Sequence, residues 1–151
     1  MHINPDRFLQ IETGRVVTPE CNQAAWTKSY QVLDEALRNA GSFQQSLRAC
    51  RPAGCGRERL AKSVASTLRG AIIFDAILVE QAERQPIVAA ARSHPVEALA
   101  VWFKTPLEAC LSGNASRPAD EVVAEQAVRN VHSAIEPPSL IEGFAKVIEV
   151  Q

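Results

Sequence analysis

Three short runs in this 151-residue chain are apolar on both sides of a strand: Ala71-Ile72-Ile73-Phe74, Ala98-Leu99-Ala100-Val101-Trp102-Phe103 and Val147-Ile148-Glu149-Val150. A strand with one wet face alternates apolar and polar residues, whereas a strand covered on both faces does not. These runs therefore predict buried parallel strands. Helical stretches separate them. One runs from about 76 to 93, with a break expected at Pro86 and a stop before His94-Pro95. The next opens at Thr105-Pro106-Leu107-Glu108, which has the pattern of a capping box with Pro at the first helical position. A third covers about 120 to 135 and stops at Pro137-Pro138. Alternating strands and helices predict an α/β fold, a three-layer sandwich around a parallel sheet.

Ahead of these units, residues 1–17 are mixed. Phe8, Leu9 and Ile11 suggest a short extended arm. Thr18-Pro19-Glu20 is a helix start, with a capping hydroxyl, Pro at the first position and an early acid. Trp26, Tyr30, Leu33 and Leu37 then recur on one helical face, and Gly41 suits a C-cap. Core packing is the plain reading of that stripe, against a groove for a partner. No linker divides the chain, so one domain over 1–151, with an N-terminal arm and helix (1–41), is the expectation.

Composition narrows the function classes. Sixteen Lys and Arg stand against seventeen Asp and Glu, which excludes a strongly basic nucleic-acid coat and an acidic tail. No stretch approaches the roughly 18 consecutive apolar residues of a membrane span. The first residues lack the charged and apolar regions of a signal peptide, so a cytoplasmic protein is expected. Cys21, Cys50, Cys55 and Cys110 form no C-x-x-C pair, which argues against zinc and for free thiols. His2, His94 and His132 have no G-x-S-x-G partner, which argues against hydrolase chemistry.

In a parallel α/β fold, ligands bind at the carboxyl edge of the sheet. The first strand–loop–helix unit should fall near residues 46–68. A phosphate-binding loop needs G-x-x-x-x-G-K-[ST]. Residues 51–58 read Arg51-Pro52-Ala53-Gly54-Cys55-Gly56-Arg57-Glu58. Only Gly56 matches strictly. Arg57 keeps the positive charge where Lys belongs, and Glu58 replaces the hydroxyl that holds Mg²⁺. The preceding Leu47-Arg48-Ala49-Cys50 puts an Arg where a buried strand should be apolar. From Arg48 to Lys62 there are five positive residues and one negative, an anion-binding patch or an exposed loop. A neighbouring reading frame of suitable codons for 47–56 spells Tyr-Val-Leu-Val-Gly-Arg-Gln-Gly-Ala-Gly, an apolar strand and a glycine-rich loop. Compensated frameshifts would explain the departure.

Several later segments together resemble one family. They are Gly70-Ala71-Ile72-Ile73-Phe74-Asp75-Ala76, Arg84-Gln85-Pro86-Ile87, Ala100-Val101-Trp102-Phe103-Lys104-Thr105-Pro106-Leu107-Glu108, Asn114-Ala115-Ser116-Arg117-Pro118 and Glu136-Pro137-Pro138-Ser139-Leu140-Ile141-Glu142-Gly143-Phe144. In this order and spacing they resemble the bacterial P-loop kinases of the polynucleotide-kinase-like or zeta-toxin-like group, also labelled AAA-family ATPases. The resemblance covers about residues 20–151. It implies ATP, Mg²⁺ and phosphoryl transfer to a hydroxyl acceptor, nucleic-acid ends among the possible acceptors.

Residue by residue, the resemblance places Asp75 at the end of a strand, where it orients or deprotonates the acceptor hydroxyl; a plain helix N-cap is the alternative. It places Arg117 in a lid over the ATP phosphates, with a solvated loop Arg as the alternative. Gly54, Gly56, Arg57 and Glu58 fall on the phosphate loop. Asn114 suits a helix end, Arg84 an anionic acceptor or a surface salt bridge, and Glu136 and Glu142 structural duty. Lys104 stands where such proteins often carry an acid. Three readings follow: an ATP-dependent phosphotransferase, a non-catalytic pseudo-kinase or interaction module, and a marginally folded product with Arg48 buried and unpaired.

Overall fold

A computed structural model describes residues 1–11, 14–15, 18–40, 47–51, 71–119 and 121–150. Its centre is a five-stranded sheet in which every pairing is parallel. In chain order the strands are β1 (His2–Ile3), β4 (Leu47–Arg51), β5 (Ile72–Ile77), β6 (Ala98–Phe103) and β7 (Lys146–Val150). Their spatial order is β1-β5-β4-β6-β7. The three expected strands are present as β5, β6 and β7. Buried on both faces, β5 and β6 have the lining that continuous apolar runs require.

Two features of the sheet position the site. The strand Leu47–Arg51 is central, paired with both β5 and β6 despite its unpromising sequence. The sheet edge beside β5 is taken by the chain's own beginning: His2 lies opposite Ile73 and Ile3 opposite Phe74. Residues 1–17 are thus not a plain extended arm. After β1 comes a 3-10 turn, Pro5–Leu9, and then a small antiparallel hairpin of β2 (Gln10–Ile11) and β3 (Gly14–Arg15). Two-residue strands are too short for any period to show in sequence.

Helix α1 (Pro19–Asn39) starts where its signals predict, with the Thr18 hydroxyl accepting from the Cys21 N–H. Gly41, the expected cap at its other end, lies outside the described residues. The helix packs on β1 and β5 and touches α2 (Gln81–Arg92), which packs on β4 and β6, so both helices cover the same face. Leu33 and Leu37 join Ile72, Phe74, Ala76, Ile87 and Ala100 in the main core. Trp26 and Tyr30 flank it, with Tyr30 stacked on Phe74 at a centroid distance of 5.8 Å. The stripe is core.

Three local expectations are corrected. The helix expected from about 76 starts at Gln81, because β5 continues to Ile77 and Glu80 with Glu83 forms the capping box. Pro86 sits inside α2 without breaking it; at the sixth helical position it removes one backbone bond within an otherwise well-capped helix. Thr105 does not cap α3 (Leu107–Ala115), whose N-cap is Pro106. Its hydroxyl instead turns inward. Helix α4 (Glu125–Ser133) packs on α3 through Cys110 and Val128. A 3-10 turn, Leu140–Glu142, then leads into β7.

Candidate functional site

The crevice of a parallel sheet lies between neighbouring strands whose connections leave in opposite directions. Here those strands are β4, which leads to β5, and β6, which leads to β7. The chain moves from β4 to β5 on one side, then returns through α2 to β6 on the other. The carboxyl end of β4, at Arg51, is thus at the crevice. Gly54, Gly56, Arg57 and Glu58, expected on the phosphate loop, lie outside the described residues.

Asp75 is the fourth residue of β5, inside the strand rather than at its end, and it is not a helix N-cap; that position belongs to Glu80. It is buried, at 6% exposure. A carboxylate in such a place demands polar partners. One is His2, whose Nε2 lies 3.1 Å from Asp75 Oδ2. The backbone adds a second peculiarity. Ala49 pairs with Phe74, but Arg51 pairs with Ile77. Asp75 and Ala76 therefore oppose the single residue Cys50, a bulge in the strand pair. Bulges beside functional sites re-aim a side chain that regular pleating would place elsewhere.

Just past the end of β6, the Thr105 hydroxyl is buried and has no hydrogen-bond partner among the described residues. Its carbonyl receives His132 Nε2 at 3.2 Å. Lys104 points outward, bonded to Glu149 and lying over the Trp102 ring.

Arg117 follows α3 and is half-exposed; its guanidinium has no ion-pair partner among the described residues. Asn114 does more than end the helix. Its amide donates to the Val123 carbonyl at 2.7 Å and accepts from the Val123 N–H at 3.1 Å. This closes the segment carrying Arg117 into a fixed loop between α3 and α4. Asp75 stands on β5, whereas this loop follows β6 in the chain, and the two strands flank β4.

Arg84 is an interior residue rather than a surface one. Buried at 1% exposure, it forms a two-point pair with Glu142 and donates to the carbonyls of Leu78 and Val79. Glu136 accepts from the Gln81 N–H, and its own N–H donates to Val79. Both acids are structural, pinning the turn between β5 and α2. Sequence reasoning missed His2, because nothing local links residue 2 to residue 75.

Among the described residues no three His, Cys, Asp or Glu side chains group as a metal site. Magnesium in nucleotide sites takes one or two carboxylates and completes its shell with phosphate and water. No described helix is long and apolar enough to cross a membrane.

A parallel sheet with helices between its strands is the architecture of an α/β fold and is consistent with a P-loop NTPase. The family comparison agrees: a model of the AAA domain matches residues 22–138. The chain belongs to this AAA domain family, a nucleotide-binding group of P-loop NTPase, kinase-like proteins. No curated protein matches it significantly.

Proposed function

We propose that the chain is an ATP-dependent phosphotransferase that moves the γ-phosphoryl group of ATP to a hydroxyl acceptor. The observation that carries this reading is the buried carboxylate of Asp75 on β5, beside the central strand β4, in a chain of this family. The Asp75 carboxylate takes the proton of the acceptor hydroxyl as that oxygen bonds to phosphorus. The bond from the γ-phosphorus to the bridging oxygen breaks, and its electron pair leaves on ADP. Arg117, on the loop held by Asn114, supplies positive charge as charge redistributes over the transferring group. Gly54, Gly56, Arg57 and Glu58 form the phosphate loop, where backbone N–H groups and the Arg57 guanidinium hold the anion. Magnesium, when bound with ATP, neutralises phosphate charge.

The test is a thermal melt with and without Mg·ATP, followed by transfer of labelled γ-phosphate to a panel of acceptors. Asp75→Asn should retain the ATP-linked rise in melting temperature and lose transfer. Arg57 and Glu58, in place of Lys and Ser/Thr, favour a second reading, a non-catalytic pseudo-kinase. That reading expects a cooperative melt, no transfer, and no effect of Arg117→Ala.

A further inference from the structure

We propose that His2 is a positioning residue for Asp75, fixing the carboxylate that receives the acceptor's proton; this rests on the phosphotransfer reading above. Three observations converge on the same carboxyl group. The first is the contact itself, His2 Nε2 to Asp75 Oδ2 at 3.1 Å, between side chains that are 24% and 5% exposed. The second is the strand that delivers His2. β1 is only two residues long, yet it adds to the sheet edge in parallel register, and the Ile73 N–H donates to the Met1 carbonyl at 2.8 Å. The third is the bulge that sets Asp75 and Ala76 against Cys50.

Together these bring a side chain from the start of the sequence to a residue 73 positions away. A carboxylate can turn about its terminal torsion, which is broad and roughly two-fold. A ring N–H from β1 removes that freedom at one oxygen and offsets the cost of burying the charge. The orientation matters because a misplacement of about 1 Å at a reacting group costs on the order of 100-fold in rate. His2 acts through Asp75. It is not assigned a contact with ATP or acceptor.

The experiment uses the full chain and the variants His2→Leu, His2→Gln and Asp75→Asn. Phosphoryl transfer, or ATP hydrolysis where no acceptor is found, gives kcat and KM for ATP. His2→Leu should lower kcat about 10- to 100-fold with KM for ATP almost unchanged, and His2→Gln, which keeps an N–H donor, should restore most of it. Full kcat in His2→Leu overturns the inference. So does equal loss in both variants. The nitrogen signals of the His2 ring provide a readout independent of turnover. They should report an Nε2-bound proton that shifts on Asp75→Asn; ring signals indifferent to Asp75→Asn overturn the pairing. A wild-type chain that neither transfers nor hydrolyses phosphate, whatever the ring signals show, overturns the phosphotransfer reading, and the assigned role of His2 with it.

Discussion

Arg84 and Glu142, 58 residues apart, meet in a buried two-point ion pair, Nε to Oε2 at 2.7 Å and Nη2 to Oε1 at 3.0 Å. The same guanidinium holds the carbonyls of Leu78 and Val79, just past the end of β5. Glu142 Oε1 also accepts from the Ser139 N–H and so closes the 3-10 turn before β7. One pair therefore ties the exit of β5, the first turns of α2 and the entrance to β7. Removing either partner strips the other of its two-point pair inside the core. Arg84→Met or Glu142→Gln should each destabilise the fold by about 3–5 kcal/mol, read from chemical denaturation. The double variant Arg84→Met with Glu142→Leu should lose less than the two singles combined.

Gly143 follows that turn with φ of +107°, a conformation that side chains strain to adopt. A Cβ there would also run into the Arg92 guanidinium, which donates to the Glu142 carbonyl at 3.4 Å. Gly143→Ala should therefore cost about 1–3 kcal/mol in unfolding free energy. Pairing it with Arg92→Ala removes the clash and should recover part of that loss, leaving the backbone strain.

Strands β5, β6 and β7, helix α1 and its N-cap were legible because their signals are local: runs such as Ala98–Phe103 and the Thr18-Pro19-Glu20 start carry their environment in adjacent residues. The tertiary devices were not. Nothing near Arg84 in sequence announces Glu142, and nothing near His2 announces Asp75. Thr105 looked like a capping hydroxyl because its neighbours fit the pattern, but Pro106 took the cap and left the hydroxyl inside. Asp75 was legible as a candidate through family resemblance, whereas its bulge and its partner are products of strand pairing.

Asn114 should prove more than a helix end. It makes both an amide donor and a carbonyl acceptor bond to the backbone of Val123. Asn114→Ala leaves that buried-side N–H and carbonyl to water and should cost about 1–3 kcal/mol. If the loop presents Arg117 to phosphate, Asn114→Ala should also weaken Mg·ATP binding, measured by calorimetry, while Asn114→Asp keeps the acceptor half.

The chain has a single tyrosine, Tyr30, so its titration is readable by ultraviolet absorbance without ambiguity. Burial against Trp26 and Phe74 raises its pKa above the ordinary 10.0, and the nearby charge of Glu83 raises it further. The sign follows from linkage: the folded state holds the phenol proton more tightly than the unfolded state. That contribution to stability is complete below about pH 10 and is lost as pH rises through the folded-state value. The absorbance midpoint should lie above that of the unfolded chain. Tyr30→Phe should flatten the alkaline fall in melting temperature.

The central strand carries the last prediction. A strand paired on both sides in a parallel sheet is ordinarily a continuous apolar run, because helices cover both of its faces. Its neighbours obey this: β5 begins Ile72-Ile73-Phe74 and β6 reads Ala98-Leu99-Ala100-Val101-Trp102-Phe103. Leu47-Arg48-Ala49-Cys50-Arg51 does not, yet the fold assigns it that central place. The family requires a glycine-rich phosphate loop directly after it, and Gly54 and Gly56 stand in only part of that pattern. Compensated frameshifts would account for both departures at once, since suitable codons for residues 47–56 spell, in one neighbouring frame, an apolar strand and the loop glycines together. Sequencing the gene from independent isolates should show that frame encoding Tyr-Val-Leu-Val-Gly-Arg-Gln-Gly-Ala-Gly or a close variant. A chain carrying that segment should melt at a higher temperature than this one and bind Mg·ATP more tightly. If neither neighbouring frame contains an apolar run and glycines, the frameshift is excluded and residues 47–58 are the strand and loop the protein uses.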